Sequence, residues 1–214
     1  MKKADEIVAY IKEVGSFCDC LELEEHFVEK LKYSKSLIDK VEKNPEIFRY
    51  HEDSFIHRDV LEWDDEKQEK FEEVAFLKFY EDIEDDVNYY MLVSELIDLK
   101  DLPKIGRELI YTHSLLVSLL DKAEHFALLG PLKRAYAPTP NKYGINDFEG
   151  VVFTMLQKDH DSEADIKVVS KILREDGVIE EDITKKMFAG SQRIKIKGAK
   201  IIANLHKGPP KKKF

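Results

Sequence analysis

The sequence predicts a mostly helical α+β chain carrying three short β-hairpins. Three observations carry that expectation. Apolar residues recur at helical spacing over most of the chain, three apolar–polar runs fold back around short turns, and one helix–hairpin segment echoes another 78 residues later. The 214 residues suffice for one large domain or two to three small ones, and 43% hydrophobic residues can build a core.

Residues 4–14 place Ile7, Val8, Ile11 and Val14 on one helical face, and Gly15 ends the run. Residues 21–33 put Leu23, Phe27 and Leu31 on one face of a second helix. Ser34 or Ser36 suits an N-cap, and Ser36 with Asp39 resembles a capping box, opening a third helix with Leu37, Ile38 and Val41, which stops at Asn44-Pro45. Ile47–Tyr50 and Phe55–Arg58 flank the polar stretch His51–Ser54, a hairpin pattern.

Residues 64–86 read as a connecting helix around Phe71, Val74, Phe76, Leu77 and Tyr80, ending in the acidic run Glu81–Asp86. An offset of 78 then aligns Tyr33–Ile38 with Tyr111–Leu116, Phe27 with Ile105, Leu31 with Leu109, Val41 with Leu119 and Phe48 with Phe126. The second hairpin is expected over Phe126–Leu129 and Lys133–Ala137, with Pro138–Asn141 as a linker.

Phe148, Val151, Val152, Met155 and Leu156 form another amphipathic helix, and Ser162 with Asp165 reads as a second capping box, ahead of Ile166, Val169, Ile172 and Leu173. Gly177 is a stop, 180–188 a short helix, and Arg193–Lys197 with Lys200–Ala203 a third hairpin around Gly198-Ala199.

Three short helices followed by a hairpin resemble the winged-helix superfamily, a variant of helix-turn-helix in which the hairpin is the wing. The resemblance rests on element order, on the segment Leu23–Arg58 and on its echo from Pro103 to Ala137. It implies tandem winged-helix-like units joined by an acidic connecting helix. The expected organisation is a first unit over 1–63, the connecting helix over 64–86, a second unit over 87–140, a third helical unit with a basic hairpin over 141–205, and a basic disordered tail over 206–214. Winged helices in general bind duplex DNA through the third helix and the wing, and many others serve as protein–protein modules.

The net charge of −9 conceals an asymmetry: residues 59–101 hold 16 acidic and 4 basic side chains, whereas residues 185–214 hold 10 basic and no acidic ones. The acidic stretch repels a phosphate backbone and the C-terminal end attracts one. Candidate phosphate contacts in the first unit are Lys35, Lys40, Lys43, Arg49 and Arg58, and in the third Lys185, Lys186, Arg193, Lys195, Lys197 and Lys200. The plain alternative is that hairpin lysines guard an exposed strand edge.

No catalytic role is expected, because neither a P-loop, nor H-E-x-x-H, nor G-x-S-x-G occurs. No metal or cofactor is expected either. Cys18, Cys20 and His26 fit no zinc knuckle, so one thiol in the core is the simpler reading. Asp159-His160-Asp161 reads as a solvated loop, and His51 and His57 as surface histidines. Met1 runs straight into charge with no apolar signal region, which predicts a cytoplasmic protein outside any membrane.

The expected function is duplex DNA binding, as a regulator or as a component of a DNA-processing or defence system. The alternative is a non-catalytic adaptor that meets a protein partner through the acidic 59–101 segment or the apolar stretch Leu115–Leu120, which equally suits a core.

Overall fold

Gly15 adopts a left-handed conformation (φ 70°) and returns its N–H to the Lys12 carbonyl, closing α1 (Lys3–Val14) where the apolar periodicity stops. The computed structural model describes residues 2–83, 89–141 and 143–204, excepting the side chains of 81–83. The acidic run Glu81–Asp86 and the tail 206–214 therefore lie wholly or largely outside the described residues. The fold is α+β, with small antiparallel sheets, and among the described residues no helix is long and apolar enough to cross a membrane.

Contacts divide the chain into two compact units, one of Met1–Ala75 with Leu96–Glu124 and the other of Phe76–Glu95 with His125–Phe214. In the first, α1 is followed by β1 (Cys18–Asp19), a single α-turn α2 (Cys20–Leu23) and a π-helix over Glu24–Lys30. The expected second helix thus widens midway, setting His26 flat on Tyr10 (4.6 Å) and Phe27 edge-on to it (5.4 Å). The expected third helix splits into α3 (Lys35–Ile38) and a 3-10 turn, Val41–Lys43. Its capping box does not form: Ser34 is the N-cap residue, and its hydroxyl bonds the Ser36 hydroxyl (2.8 Å) instead of a backbone N–H.

The first hairpin, β2 (Ile47–His51) with β3 (Ser54–His57), forms where expected. β1 pairs with β3, so the sheet order is β1-β3-β2. Two residues are too few to show alternation, and β1 left no trace in the sequence pattern. Ile7, Ile11, Cys18, Leu23, Phe27, Ile38, Ile47 and Phe55 close the core beneath this sheet.

β2 is an edge strand, and α6 (His113–Lys122) lies along it. The Arg49 N–H, which the ladder leaves open, donates to the Ser118 hydroxyl (3.1 Å). Thr112 caps α6 by accepting the Leu115 N–H (3.1 Å) and donates to the Tyr50 carbonyl. Lys122 at the far end donates to the carbonyls of Glu42 (3.1 Å) and Asn44 (2.8 Å). Both ends and the middle of α6 are thus hydrogen-bonded to the β2 region, and the edge is covered rather than left open to other strands. Leu115, Leu116, Leu119 and Leu120 are all fully buried, so the apolar stretch is core and offers no surface to a partner.

α4 (Arg58–Leu61) follows β3, and α5 (Asp65–Ile83) runs through the acidic segment. His57 is buried, in contrast to its reading as a surface histidine, because its Nδ1 accepts the Asp59 N–H (3.1 Å) and caps α4. Desolvation holds its pKa below the ordinary value. The unfolded chain therefore takes up a proton first, and stability present above about pH 6.5 is lost as pH falls through that unfolded value. Urea titrations at about pH 7.5 and about pH 5.5 should give a lower midpoint in acid, and His57→Asn, which keeps an acceptor for the cap, should shrink the difference.

In the second unit β4 (Met91–Leu92) leads into a 3-10 turn, Val93–Leu96, and pairs with β6 (Ala135–Pro138), itself paired with β5 (Phe126–Leu129). Pro138, expected in a linker, is a buried strand residue opposite Phe126. Pro suits that end position because it needs no ladder N–H there. α7 (Phe148–Asp159), β7 (Glu163–Asp165) and α8 (Ile166–Glu175) follow, then a 3-10 turn, Lys185–Phe188, and the hairpin β8 (Ile194–Lys197) with β9 (Lys200–Ala203). Asp165, not Ser162, caps α8, accepting the Lys167 N–H (2.8 Å), because residues 163–165 are drawn out as a strand against β9.

Each of the three sheets has the same order. A short leading strand sits beside the last strand of the hairpin: β1-β3-β2, β4-β6-β5 and β7-β9-β8. The offset of 78 lays α3 on the first turn of α6 and Phe48 of β2 on Phe126 of β5, but it lays the π-helix Glu24–Lys30 on residues 102–108, which hold no helix.

Candidate nucleic-acid interface

The sequence Ile194-Lys195-Ile196-Lys197 alternates because β8 is an edge strand with one face inward. Ile194 is buried, and Lys195 and Lys197 are exposed on the opposite face, roughly 6.7 Å apart along the strand. Gly198 (φ 61°) makes the two-residue turn. The same outward face carries two cross-strand rows, Lys197–Lys200–Asp165 and Lys195–Ile202–Glu163. β7 therefore supplies carboxylates to one side of the face. Lys200 is paired to Glu163, which raises its pKa. Lys195 and Lys197, on the far strand, have no carboxylate within 4 Å among the described residues.

The turn before the hairpin adds two more charges. Phe188 is buried and stacks on Phe148 of α7 (5.9 Å, 11° between planes), and the Ile183 N–H donates to the buried Ser170 hydroxyl (2.9 Å). These anchors fix the 3-10 turn and leave Lys185 and Lys186 exposed, likewise without a carboxylate partner among the described residues. Arg193 is half-buried with its guanidinium over the Phe153 ring (4.5 Å). Four lysines of the six C-terminal candidates thus have no carboxylate partner among the described residues.

The first-unit candidates are mostly engaged with their own unit. Lys35 pairs with Glu24 (2.7 Å). The Arg49 Nε donates to Glu42 (2.9 Å) and its guanidinium lies over the Phe55 ring (4.9 Å). Arg58 donates to the Trp63 carbonyl (3.1 Å) and to Asp65 (3.2 Å). Lys40 and Lys43 are exposed, and Lys43 and Arg58 are brought together with Lys122 around one cleft. Lys122 was not singled out in the sequence, where it is one more charge at a helix end.

Cys18 is a buried free thiol whose pKa burial pushes up to about 12, and Cys20 is a half-buried one. No group of three metal-ligating side chains gathers among the described residues. Asp159-His160-Asp161 is not simply a solvated loop. Asp159 ends α7 and accepts both contacts of the Tyr89 hydroxyl (2.9 Å each), and His160 Nε2 is buried.

Compared with known proteins, the chain matches no family model, no curated sequence and no solved structure.

Proposed function

We propose that this chain is a nucleic-acid-binding protein of three winged-helix units that holds duplex phosphates chiefly through the third. The winged-helix reading is supported by the sheet order, in which the strand between the first two helices sits beside the last strand of the hairpin, three times over. In that reading the 3-10 turn Lys185–Phe188 stands for the third helix and β8–β9 for the wing. The observation that carries the function is the set of four unpaired lysines on those two elements, set against the paired Lys35, Arg49 and Arg58. Unpaired surface cations are available to release counterions from a phosphate backbone, and paired ones first have to give up a carboxylate.

Four contacts give a slope of about −3.6 in log affinity against log salt, or roughly a hundredfold loss between ~50 and ~200 mM. Fluorescence anisotropy with a labelled random duplex at those two salt concentrations is the test. A flat salt response, or no binding at the lower salt, refutes the reading.

The second reading, an adaptor, is favoured by Phe76, Leu77 and Tyr80, exposed together on α5 in the acidic segment. Large apolar side chains grouped on a surface mark interaction sites more often than scattered ones do. Absence of duplex binding in the same titration transfers the function to this reading.

A further inference from the structure

The first unit contains a cleft of about 300 Å³ that the nucleic-acid reading does not use. Three cations from separate elements surround it: Lys43 from the end of the 3-10 turn, Arg58 from the start of α4, and Lys122 from the last turn of α6. Phe48, Pro45 and Trp63 supply its apolar wall. Two carboxylates also line it, and both have other duties. Asp64 accepts the Lys67 N–H (2.8 Å) at the start of α5, and Asp65 is the exposed partner of Arg58. Gln68 is held by the Trp63 indole N–H (3.0 Å) and donates to Glu72 (2.8 Å).

Lys122 is the informative member. It is half-buried, its ammonium meets two backbone carbonyls, and no carboxylate lies within 4 Å of it among the described residues. An ammonium carries three donors, so one remains. Partial desolvation of the cation is costly, and burial lowers its pKa against the opposing attraction of Asp121 and Glu42. A bound anion would remove that cost. Two ammonium groups around one cleft, with the Arg58 guanidinium exchanging its exposed partner Asp65 for the anion, suit a tetrahedral dianion better than a planar carboxylate. The volume lies at the small end of ligand sites, and the aromatic wall calls for more than a bare inorganic ion.

We propose that this cleft binds a small organic phosphomonoester, the phosphate set among Lys43, Arg58 and Lys122 and the organic body against Phe48 and Trp63. The site shares no residue with the lysines of β8 and does not depend on nucleic-acid binding.

Trp63 is the single tryptophan of the chain, so ¹⁵N-labelled full-length protein shows one indole N–H signal, and it belongs to this wall. Adenosine 5′-monophosphate is the probe, as a soluble phosphomonoester with a flat body. The expected result is a saturable shift of that signal with half-saturation at or below ~1 mM, with adenosine and inorganic phosphate each about tenfold weaker. Lys43→Glu, at an exposed position with no side-chain partner among the described residues, should weaken binding at least about tenfold, since its charge is reversed at the phosphate. The double variant Lys195→Glu, Lys197→Glu should leave it unchanged, which separates this site from the nucleic-acid surface. No saturable shift up to ~10 mM, equal binding of inorganic phosphate, or indifference to Lys43→Glu overturns the proposal.

Discussion

Reversing charge at Lys195 and Lys197 together should lower affinity for duplex DNA by about two hundredfold at ~50 mM salt and flatten the salt slope by about 1.8. Each phosphate contact contributes about 0.9 to the slope. Extrapolated to about 1 M, where the electrostatic part vanishes, one contact is worth roughly fifteenfold at 50 mM, and two contacts are worth the square of that. The two side chains stand on the outward face of an edge strand, so the substitutions leave no cavity and strand no buried group. The matched comparison is Lys35→Glu with Arg49→Glu, where each original cation already faces Glu24 or Glu42. That pair should move the slope by less than about 0.5 if paired cations do not reach the duplex. Anisotropy titrations at several salt concentrations measure both. Equal effects from the two pairs would remove the third unit from its place in the proposed function.

The largest stability effect is expected at Leu119. Its side chain is fully buried in a helix hydrogen-bonded to the β2 region at Thr112, Ser118 and Lys122. With the helix held at both ends, the backbone has little freedom to collapse into the space a truncation leaves. Leu119→Ala should therefore cost about 3–5 kcal/mol, at the upper part of the range for buried leucines. Leu21, 72% exposed, should lose less than about 0.5 kcal/mol on the same change. Urea denaturation monitored through Trp63, a first-unit residue, compares them. A Leu119→Ala midpoint within error of the parent would mean that this helix contributes a surface rather than a core.

The hairpins were legible in the sequence because alternation and turn residues are local signals. Ile194–Lys197 with Gly198-Ala199 could be read residue by residue, and the same holds for Gly15 and Gly177 as helix stops. The leading strands were not legible. Cys18-Asp19, Met91-Leu92 and Glu163–Asp165 have too few residues for a period, and each becomes a strand only because a hairpin downstream offers its open side. Candidate cations were visible as lysines and arginines. Which of them are neutralised was not, because Glu163 meets Lys200 across 37 residues, and the partners of Arg49 depend on a turn that the periodicity drew as a longer helix. The burial of His57 was hidden for a similar reason, since its capping bond requires a helix to start at Arg58 directly after β3, which no single residue announces.

The covering of β2 by α6 also bears on how the chain comes together during synthesis. Residues 47–51 emerge from the ribosome some seventy residues before 113–122, so the hairpin exists for that interval with the Arg49 N–H and one whole edge exposed. At about 5–20 residues per second that interval lasts several seconds, long compared with hairpin formation in microseconds. The first unit is thus completed from its far end, and a fragment that stops at residue 63 holds that unfinished edge permanently. For the nascent chain, arrival of the leucine helix turns an adhesive strand into a sealed one.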